Sequence, residues 1–254
     1  MESTNKIALV TGGSRGLGKN MANQLAEHGH DVIITYNSKK EEAEAVVAGI
    51  GAKGRKAVAL QLNVGEIKTF DAFVAQLQQQ LKVIWKRDSF DFLINNAGFD
   101  SRGLIADTTE EMFDSLCNVH FKGVFFLTQK LLPVIADKGR IVNLSTGLAR
   151  FTTVGYAAYA SMKGAIEVFT RYLAKEVGAR GINANLVAPG IIETDFTKEV
   201  FEKHPEAIAA IKMNTALGRT GVPDDIGGVV AFLCSEEARW VNAQRIEASG
   251  GMFL

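Results

Sequence analysis

The chain has 254 residues, of which 47% are hydrophobic and 22% charged, and only four are proline. These proportions exclude a disordered or fibrous protein, and the length suits one α/β domain. The formal net charge is zero, which argues against nucleic acid and anionic membrane surfaces as partners.

Short apolar runs rich in β-branched residues alternate with longer segments of helical period. Strands that are apolar on both faces and separated by helices predict a parallel sheet covered on both sides. We therefore expect a single doubly wound α/β domain over residues 1–254, with seven parallel strands. In chain order the predicted elements are strand Ile7–Val10, helix 17–28, strand Asp31–Tyr36, helix 40–50, strand 57–62, helix 67–84, strand 91–95, helix 109–135, strand 140–145, helix 156–178, strand 182–187, helix Asp224–Cys234 and strand Arg245–Ala248.

Residues 189–222 interrupt this alternation, because they contain Pro189, Pro205 and several glycines but no clear strand. Connections of this length inside a domain are usually lids or binding loops. The segment follows the sixth strand, so it should lie over the carboxyl ends of the sheet, where open α/β sheets bind ligands. We predict a substrate-binding loop or lid here.

A glycine-rich turn, Thr-Gly-Gly-Ser-Arg-Gly-Leu-Gly over residues 11–18, joins the first strand to the first helix. Backbone N–H groups at a helix N-terminus stabilise a pyrophosphate. A plain turn with glycines for close packing is the alternative, but the position between strand and helix favours phosphate binding. The predicted cofactor-binding residues of this turn are Gly12, Ser14, Arg15, Gly16, Leu17 and Gly18.

Four further motifs occur in family-like order, and with this turn they resemble the classical short-chain dehydrogenase/reductase family over the full length. Within it the chain looks most similar to 3-oxoacyl-[acyl-carrier-protein] reductase-like members. The resemblance implies a Rossmann-type fold and hydride transfer between a nicotinamide cofactor and a carbonyl or secondary alcohol. The motifs are Asn-Asn-Ala-Gly at 95–98, Tyr159-x-x-x-Lys163, Pro-Gly-Ile-Ile-Glu-Thr at 189–194, and Gly218-Arg219-x-Gly221-x-Pro223.

Tyr159 and Lys163 stand four apart in a segment of helical period, so they share one face. A free tyrosine has a pKa of ~10, and a nearby ammonium should lower it toward the range needed for proton transfer. A surface Tyr–Lys pair is the alternative. The resemblance implies that both residues are catalytic and that Lys163 also holds the nicotinamide ribose.

Two positions depart from the family pattern. The resemblance implies a serine thirteen residues before the tyrosine, where this chain has Thr146. Threonine still offers a hydroxyl to the substrate oxygen, and Ser145 is the fallback. The family's catalytic asparagine corresponds to His120, which either joins the proton relay as a ring titrating near neutrality or packs in the helix.

Cofactor choice depends on the turn after the second strand. Residues 36–39 contain no carboxylate to bind a ribose 2′-hydroxyl, and Arg15 suits a 2′-phosphate, although a solvated arginine is the alternative. NADP(H) is therefore expected, with NAD(H) as the second choice. The other predicted cofactor-binding residues are Asn37, Ser38, Asn63, Val64, Asn96, Ala97, Gly98, Tyr159, Lys163, Pro189, Gly190, Ile192 and Thr194.

The expected function is an NADPH-dependent reductase of 3-oxoacyl thioesters or ketones. Two alternatives are an NAD-dependent sugar or alcohol dehydrogenase and a dinucleotide sensor with little turnover. The expected lining is mostly apolar, which favours an acyl or ring substrate over a polyol. It comprises Leu148, Phe151, Thr153, Tyr156 and parts of 191–215.

Helices 109–135 and 156–178 contain more apolar residues than one sheet face can cover, among them Phe121, Phe125, Phe126, Phe169 and Tyr172. We expect a homotetramer, or at least a dimer. Two cysteines in apolar surroundings and four scattered histidines predict reduced thiols and no metal site. With no signal peptide or run of about 20 apolar residues, a cytoplasmic protein is expected.

Overall fold

Seven parallel strands form one sheet in the computed structural model, which describes residues 5–194, 197, 201 and 205–254. The order is β3-β2-β1-β4-β5-β6-β7, so the predicted doubly wound sheet is confirmed. The chain reverses its direction of winding between β1 and β4, and ligands bind beside such a switch point. The strands are β1 Ile7–Val10, β2 Asp31–Tyr36, β3 Ala57–Gln61, β4 Phe90–Asn95, β5 Ile135–Leu144, β6 Asn183–Pro189 and β7 Arg245–Ala248.

Helices cover both faces of this sheet, each through its own buried core. One core joins the sheet to α3, α5 and α6, and the other joins it to α1, α2 and α8. No helix among the described residues is long and apolar enough to cross a bilayer. The helices are α1 Gly16–Glu27, α2 Lys40–Ala52, α3 Phe70–Gln80, α4 Glu110–Cys117, α5 Gly123–Leu131, α6 Ala157–Val177, α7 Pro205–Met213 and α8 Asp224–Cys234.

The helix predicted over 109–135 is the main departure from the sequence-based elements. A π-helical turn, Asn118–Lys122, separates α4 from α5, and Ile135 already begins β5. Pro133 lies two residues after α5 and has no amide hydrogen for a further helical bond. The helix therefore stops before the apolar run that becomes the strand.

The predicted lid, residues 189–222, contains α7, which the sequence did not suggest. Its two ends meet in a parallel bridge between Ile192 and Gly221. Residues 195, 196, 198–200 and 202–204 of this segment lie outside the described residues. The role of the segment as a lid stays a prediction.

The last residues of the chain pack back onto the segment after α7. Met252 forms an antiparallel bridge with Thr215, and the Phe253 amide donates to the Asn214 carbonyl oxygen at 2.8 Å. The Phe253 ring lies 4.7 Å from the ring of Phe151. This C-terminal segment therefore connects the predicted lid to the loop after β5.

Candidate active site

The glycine turn lies at the carboxyl end of β1, beside the switch point. Gly12 and Gly16 have positive φ, and a Cβ at Gly18 would collide with the Gly12 carbonyl oxygen. Only glycine therefore permits this approach of the first turn of α1 to the turn before it. Free backbone N–H groups at the start of α1 can face a pyrophosphate.

Asn96 holds this turn in place from the end of β4. Its Nδ2 donates to the Thr11 carbonyl oxygen at 2.8 Å, and the Asn96 and Ala97 amides both donate to Thr11 Oγ1 at 2.9 and 3.0 Å. The side chain of Asn96, predicted to bind the cofactor, therefore braces the glycine turn.

Arg15 is the N-cap residue of α1 and is exposed, and its guanidinium makes no hydrogen bond or ion pair with any described residue. The turn is tied to the end of β2, because the Gly13 amide donates to the Thr35 carbonyl oxygen at 2.8 Å. Arg15 therefore lies at the same edge of the sheet as the exposed residues Asn37 and Ser38. A free guanidinium here can bind a phosphate.

Asn63 and Val64 follow β3 as predicted, and Asn63 is exposed. Its Oδ1 accepts from the Gly65 amide at 3.0 Å, so its Nδ2 is the group left for a base. On the other side, the 189–194 segment approaches the glycine turn: a Cβ at Gly16 would lie 3.9 Å from Thr194 Cβ. Pro189 and Ile192 of this segment are buried, and the Gly190 amide donates to the Ala248 carbonyl oxygen at 3.1 Å.

Tyr159 and Lys163 lie on the first turns of α6, which faces β5 and β6. Lys163 is only 6% exposed, its Nζ donates to the Leu144 carbonyl oxygen at 2.8 Å, and burial lowers its pKa to about 8. The Nζ lies 5.8 Å from the centre of the Tyr159 ring. The structure thus brings the two predicted partners together.

The pKa of the Tyr159 hydroxyl is raised, not lowered as we expected from the neighbouring ammonium. Burial is the main cause, the charges of Asp100 and Tyr156 add to it, and a hydrogen bond with Thr146 opposes it. Desolvation disfavours the phenolate more strongly than the local donors favour it. Tyr159 is therefore held as a protonated acid.

Thr146 and Ser145 have separate partners at the end of β5. The Thr146 hydroxyl is close enough to Tyr159 to lower the pKa of the phenol by hydrogen bonding, and Thr146 Oγ1 accepts from the Leu148 amide at 3.3 Å. Ser145 is buried, and its Oγ donates to Glu167 Oε1 at 2.7 Å. The structure places the Thr146 hydroxyl beside the tyrosine and engages that of Ser145 elsewhere.

His120 lies in the π-helical turn and is 1% exposed. Its Nε2 is 2.9 Å from the Phe99 carbonyl oxygen, its Nδ1 has no hydrogen-bond partner among the described residues, and its ring packs edge-on against Tyr159 at 5.1 Å. Burial and the Lys163 charge lower its pKa to about 3. The ring is therefore neutral near pH 7, and its part in a proton relay stays a prediction.

Gly98, which we predicted to bind the cofactor, has a role in packing that the sequence did not reveal. A Cβ there would lie 2.6 Å from His120 Cε1. The ring and the 98–99 backbone are thus fitted to each other, and His120 holds this segment against α6.

The sequence analysis missed a cluster next to Tyr159 on the segment after β4. Asp100 Oδ2 accepts from Arg102 Nε at 3.3 Å, and Tyr156 OH donates to the same oxygen at 3.5 Å. The Arg102 guanidinium lies 4.8 Å above the Tyr156 ring. An acidic residue two positions after Gly98 was the signal available in the sequence.

A second missed network supports the backbone of Thr146. Arg245 Nε donates to Glu167 Oε1 at 2.7 Å, and Arg245 Nη2 donates to the Thr146 carbonyl oxygen at 3.2 Å. The Glu247 carboxylate lies between two arginines. Arg245 donates to it at 2.8 Å, and Arg150 donates to it through two nitrogens at 2.8 and 2.6 Å. Glu167 follows Lys163 by one helical turn, and that spacing was its signal.

The predicted lining residues Leu148, Phe151 and Tyr156 are half-buried, and Thr153 is exposed. A separate cavity of about 280 Å³ lies between the predicted lid and β7. Its described lining does not include Tyr159. It is formed by Gly190, Ile191, Ile192, Ile211, Thr215, Leu217, Arg219, Gly221, Asp225, Val229, Ile246, Glu247, Ala248, Ser249 and Gly250.

These features fit a nicotinamide dinucleotide, since the phosphate turn, the free Arg15 and the Tyr159–Lys163 pair follow one edge of the sheet. Comparison with known proteins agrees. Residues 12–253 match the family model described as Enoyl-(Acyl carrier protein) reductase. The chain is 37% identical over 251 residues to 3-oxoacyl-[acyl-carrier-protein] reductase FabG of Staphylococcus aureus (strain Mu50 / ATCC 700699), covering 98% of each.

Two solved structures show the same likeness in three dimensions. The promiscuous reductase LugOII, which catalyses keto-reduction at C1 during lugdunomycin biosynthesis, is 36% identical with a TM-score of 0.93 over 100% of both chains. The angucycline C-6 ketoreductase LanV with bound NADP is 35% identical with a TM-score of 0.92, covering 98% of this chain and 95% of that one.

Proposed function

Because the chain belongs to the short-chain dehydrogenase/reductase family, we propose that it is an NADP(H)-dependent reductase of ketones or 3-oxo compounds. The observation that carries this proposal is the contact of Thr146 with Tyr159 beside the buried Lys163. The Thr146 and Tyr159 hydroxyls can both hydrogen-bond a substrate carbonyl oxygen, and Tyr159 carries the proton that this oxygen would accept.

In the proposed reaction the substrate carbonyl oxygen lies between the Thr146 and Tyr159 hydroxyls. Tyr159 donates its proton as the oxygen gains charge, and Thr146 donates a hydrogen bond. When bound, the nicotinamide supplies the hydride that reduces the carbonyl carbon. Burial and the Asp100 charge raise the pKa of Tyr159, so its hydroxyl is protonated before the carbonyl oxygen gains charge.

Lys163 and His120 have supporting roles in this proposal. Lys163 Nζ is fixed by the Leu144 carbonyl oxygen, and it keeps donors for a cofactor ribose. A neutral His120 offers its unpartnered Nδ1 as an acceptor near that lysine while Nε2 anchors Phe99. We assign His120 as a positioning residue, and not as a group that titrates during turnover.

NADPH is the proposed cofactor. The Arg15 guanidinium has no partner among the described residues, and residues 36–39 carry no carboxylate. The relative LanV was solved with NADP, which agrees with this choice. We retain the homotetramer and the cytoplasmic location as predictions.

The decisive experiment measures the fall in NADPH absorbance with acetophenone, acetoacetyl-CoA and crotonyl-CoA as substrates. We expect reduction of at least one of the two oxo compounds and none of crotonyl-CoA, whose reducible bond is C=C. Tyr159→Phe should lower kcat/KM by about 10²–10⁴-fold, because it removes the proton donor.

Tyr172→Phe is the matched control, since Tyr172 is an exposed tyrosine on the same helix, and it should leave the rate unchanged. NADPH binding without turnover on either oxo compound would reject the reductase and support the dinucleotide sensor.

A further inference from the structure

Thr146 lies just beyond the end of β5, where the backbone leaves the sheet. The Ser145 amide still donates to the Val187 carbonyl oxygen of β6 at 2.8 Å. From the turn that follows, the Thr146 carbonyl oxygen and Oγ1 receive one bond each, from the Ala149 and Leu148 amides, both at 3.3 Å. These bonds are at the long end of the range for an N–H donor. The turn by itself therefore holds Thr146 weakly.

Arg245 reaches this residue from the other side of β6. It is the first residue of β7, and β6 lies between β7 and β5. Neighbouring strands are ~4.8 Å apart, so only a long side chain spans the distance. Arg245 Nη2 donates to the Thr146 carbonyl oxygen at 3.2 Å. Hydrogen bonds from a charged donor are about twice as strong as neutral ones, so Arg245 adds a strong bond to a weakly held residue.

Two carboxylates set the direction of the Arg245 guanidinium. Glu167 Oε1 accepts from its Nε at 2.7 Å, and Glu247 Oε2 accepts from its Nη1 at 2.8 Å. The Arg245 side chain is 23% exposed and the two glutamates are 17% and 20% exposed, so solvent screens these charges only in part. Because the guanidinium is planar and rigid, these two contacts also fix where Nη2 points.

Resting on the proposed function, we infer that Arg245 is a positioning residue for the reaction, which holds the Thr146 hydroxyl beside Tyr159 through the Thr146 carbonyl oxygen. It acts through Thr146 and not by contact with the reacting atoms. A misplacement of about 1 Å at a reacting group can cost about 10²-fold in rate. The carbonyl oxygen gains charge only in the transition state, so the loss should appear in kcat more than in KM.

The test measures kcat and KM with NADPH and whichever of acetophenone and acetoacetyl-CoA wild type reduces faster. Arg245→Met removes all donors and should lower kcat by at least about 10-fold, with KM changed by less than about 3-fold. Arg245→Lys keeps a positive charge between the two glutamates but has no planar fork. It should fold as wild type does and still lower kcat by about 5–10-fold, so the test holds even if Arg245→Met does not fold.

The same lysine variant in a Thr146→Ala background separates positioning from a general loss of structure. Once the hydroxyl is gone its position no longer matters, so Arg245→Lys should then lower kcat by less than about 2-fold. A purely structural role of Arg245 would lower kcat by the same factor in both backgrounds.

Arg180→Lys is the matched control. Arg180 also joins a carboxylate to the backbone, since it donates to Asp137 Oδ1 and to the Leu132 carbonyl oxygen, both at 2.8 Å, but it does so near the start of β5. This variant should keep the wild-type kcat and KM, and thermal melting checks that every variant is folded.

A wild-type kcat in Arg245→Lys, or equal losses in the two backgrounds, overturns the inference, while reduction of either oxo compound still upholds the reductase. If wild type reduces neither acetophenone nor acetoacetyl-CoA, the proposed function fails and the inference fails with it.

Discussion

Ser145 and Thr146 are neighbouring hydroxyls with different partners, and this difference is testable. Thr146→Ala should lower kcat/KM by about 10²–10³-fold, as expected for the loss of one donor to a developing oxyanion. Ser145→Ala removes the hydrogen bond to Glu167 and should lower the free energy of unfolding by about 1–2 kcal/mol, with little change in kcat. Steady-state kinetics and urea unfolding measure both; the reverse order of activity losses would contradict the assignment.

His120 should make the fold sensitive to acid. Its pKa is about 3 in the folded protein and ~6.5 when unfolded, so the unfolded chain binds the extra proton between these values. The resulting stability is present above pH 6.5 and declines as the pH falls toward 3. From pH 7 to pH 4.5, wild type should therefore lose about 2–3 kcal/mol more than His120→Asn.

Urea unfolding at the two pH values measures this difference, and the exposed His28→Asn is the control. An equal loss in wild type and His120→Asn would show that the ring is charged, or free to charge, in the folded protein. The acidic side of the turnover profile above pH 5 should be the same in both proteins.

Residue spacing predicted which side chains meet, but it did not predict their electrostatics. The count from Tyr159 located Thr146, and the i,i+4 spacing placed Lys163 beside the tyrosine. The pKa directions depend on burial and on Asp100, which reaches the site from a different segment. Such contacts between distant segments have no periodic signal in one sequence.

At the scale of elements, the glycine turn and the end of β2 lie at one edge of the sheet, which we propose selects the cofactor. Arg15→Ala should weaken NADPH binding by about 10–100-fold and leave NADH binding nearly unchanged, because a charge-assisted bond to the 2′-phosphate is lost. Titration by cofactor fluorescence measures both affinities. Lys19→Ala, an exposed cation one turn further along α1, should change neither; equal NADPH and NADH affinities in wild type would contradict the prediction.

Strands were predicted well because buried parallel strands are continuous apolar runs, and three of the seven have the predicted bounds, as in Ile7–Val10. The helix over 109–135 was predicted poorly because an apolar run of this kind fits a buried strand or a helix equally. Pro133 was the signal that should have ended it. The π-helical turn around His120 depends on tertiary packing, which periodicity does not report.

At the scale of the molecule, an apolar surface on α5 and α6 should join copies of the chain. Phe125 is 37%, Val168 46% and Tyr172 68% exposed, while Phe126 and Phe169 pack against the core. Such a surface marks a partner face. Tyr172→Asp should reduce the mass in light scattering at micromolar concentration, and Val83→Asp, at an exposed valine after α3, should not. A monomeric wild type would contradict this.

The C-terminal segment bears on how the protein is made. The glycine turn and β1–β4 leave the ribosome early, so a nascent chain can begin to form the phosphate-binding region while synthesis continues. Arg245, Glu247 and Phe253 support Thr146, Arg150 and Phe151, and they are translated long after that region. A ribosome-stalled chain that ends before residue 245 should therefore acquire its cofactor region before its catalytic loop is held in place.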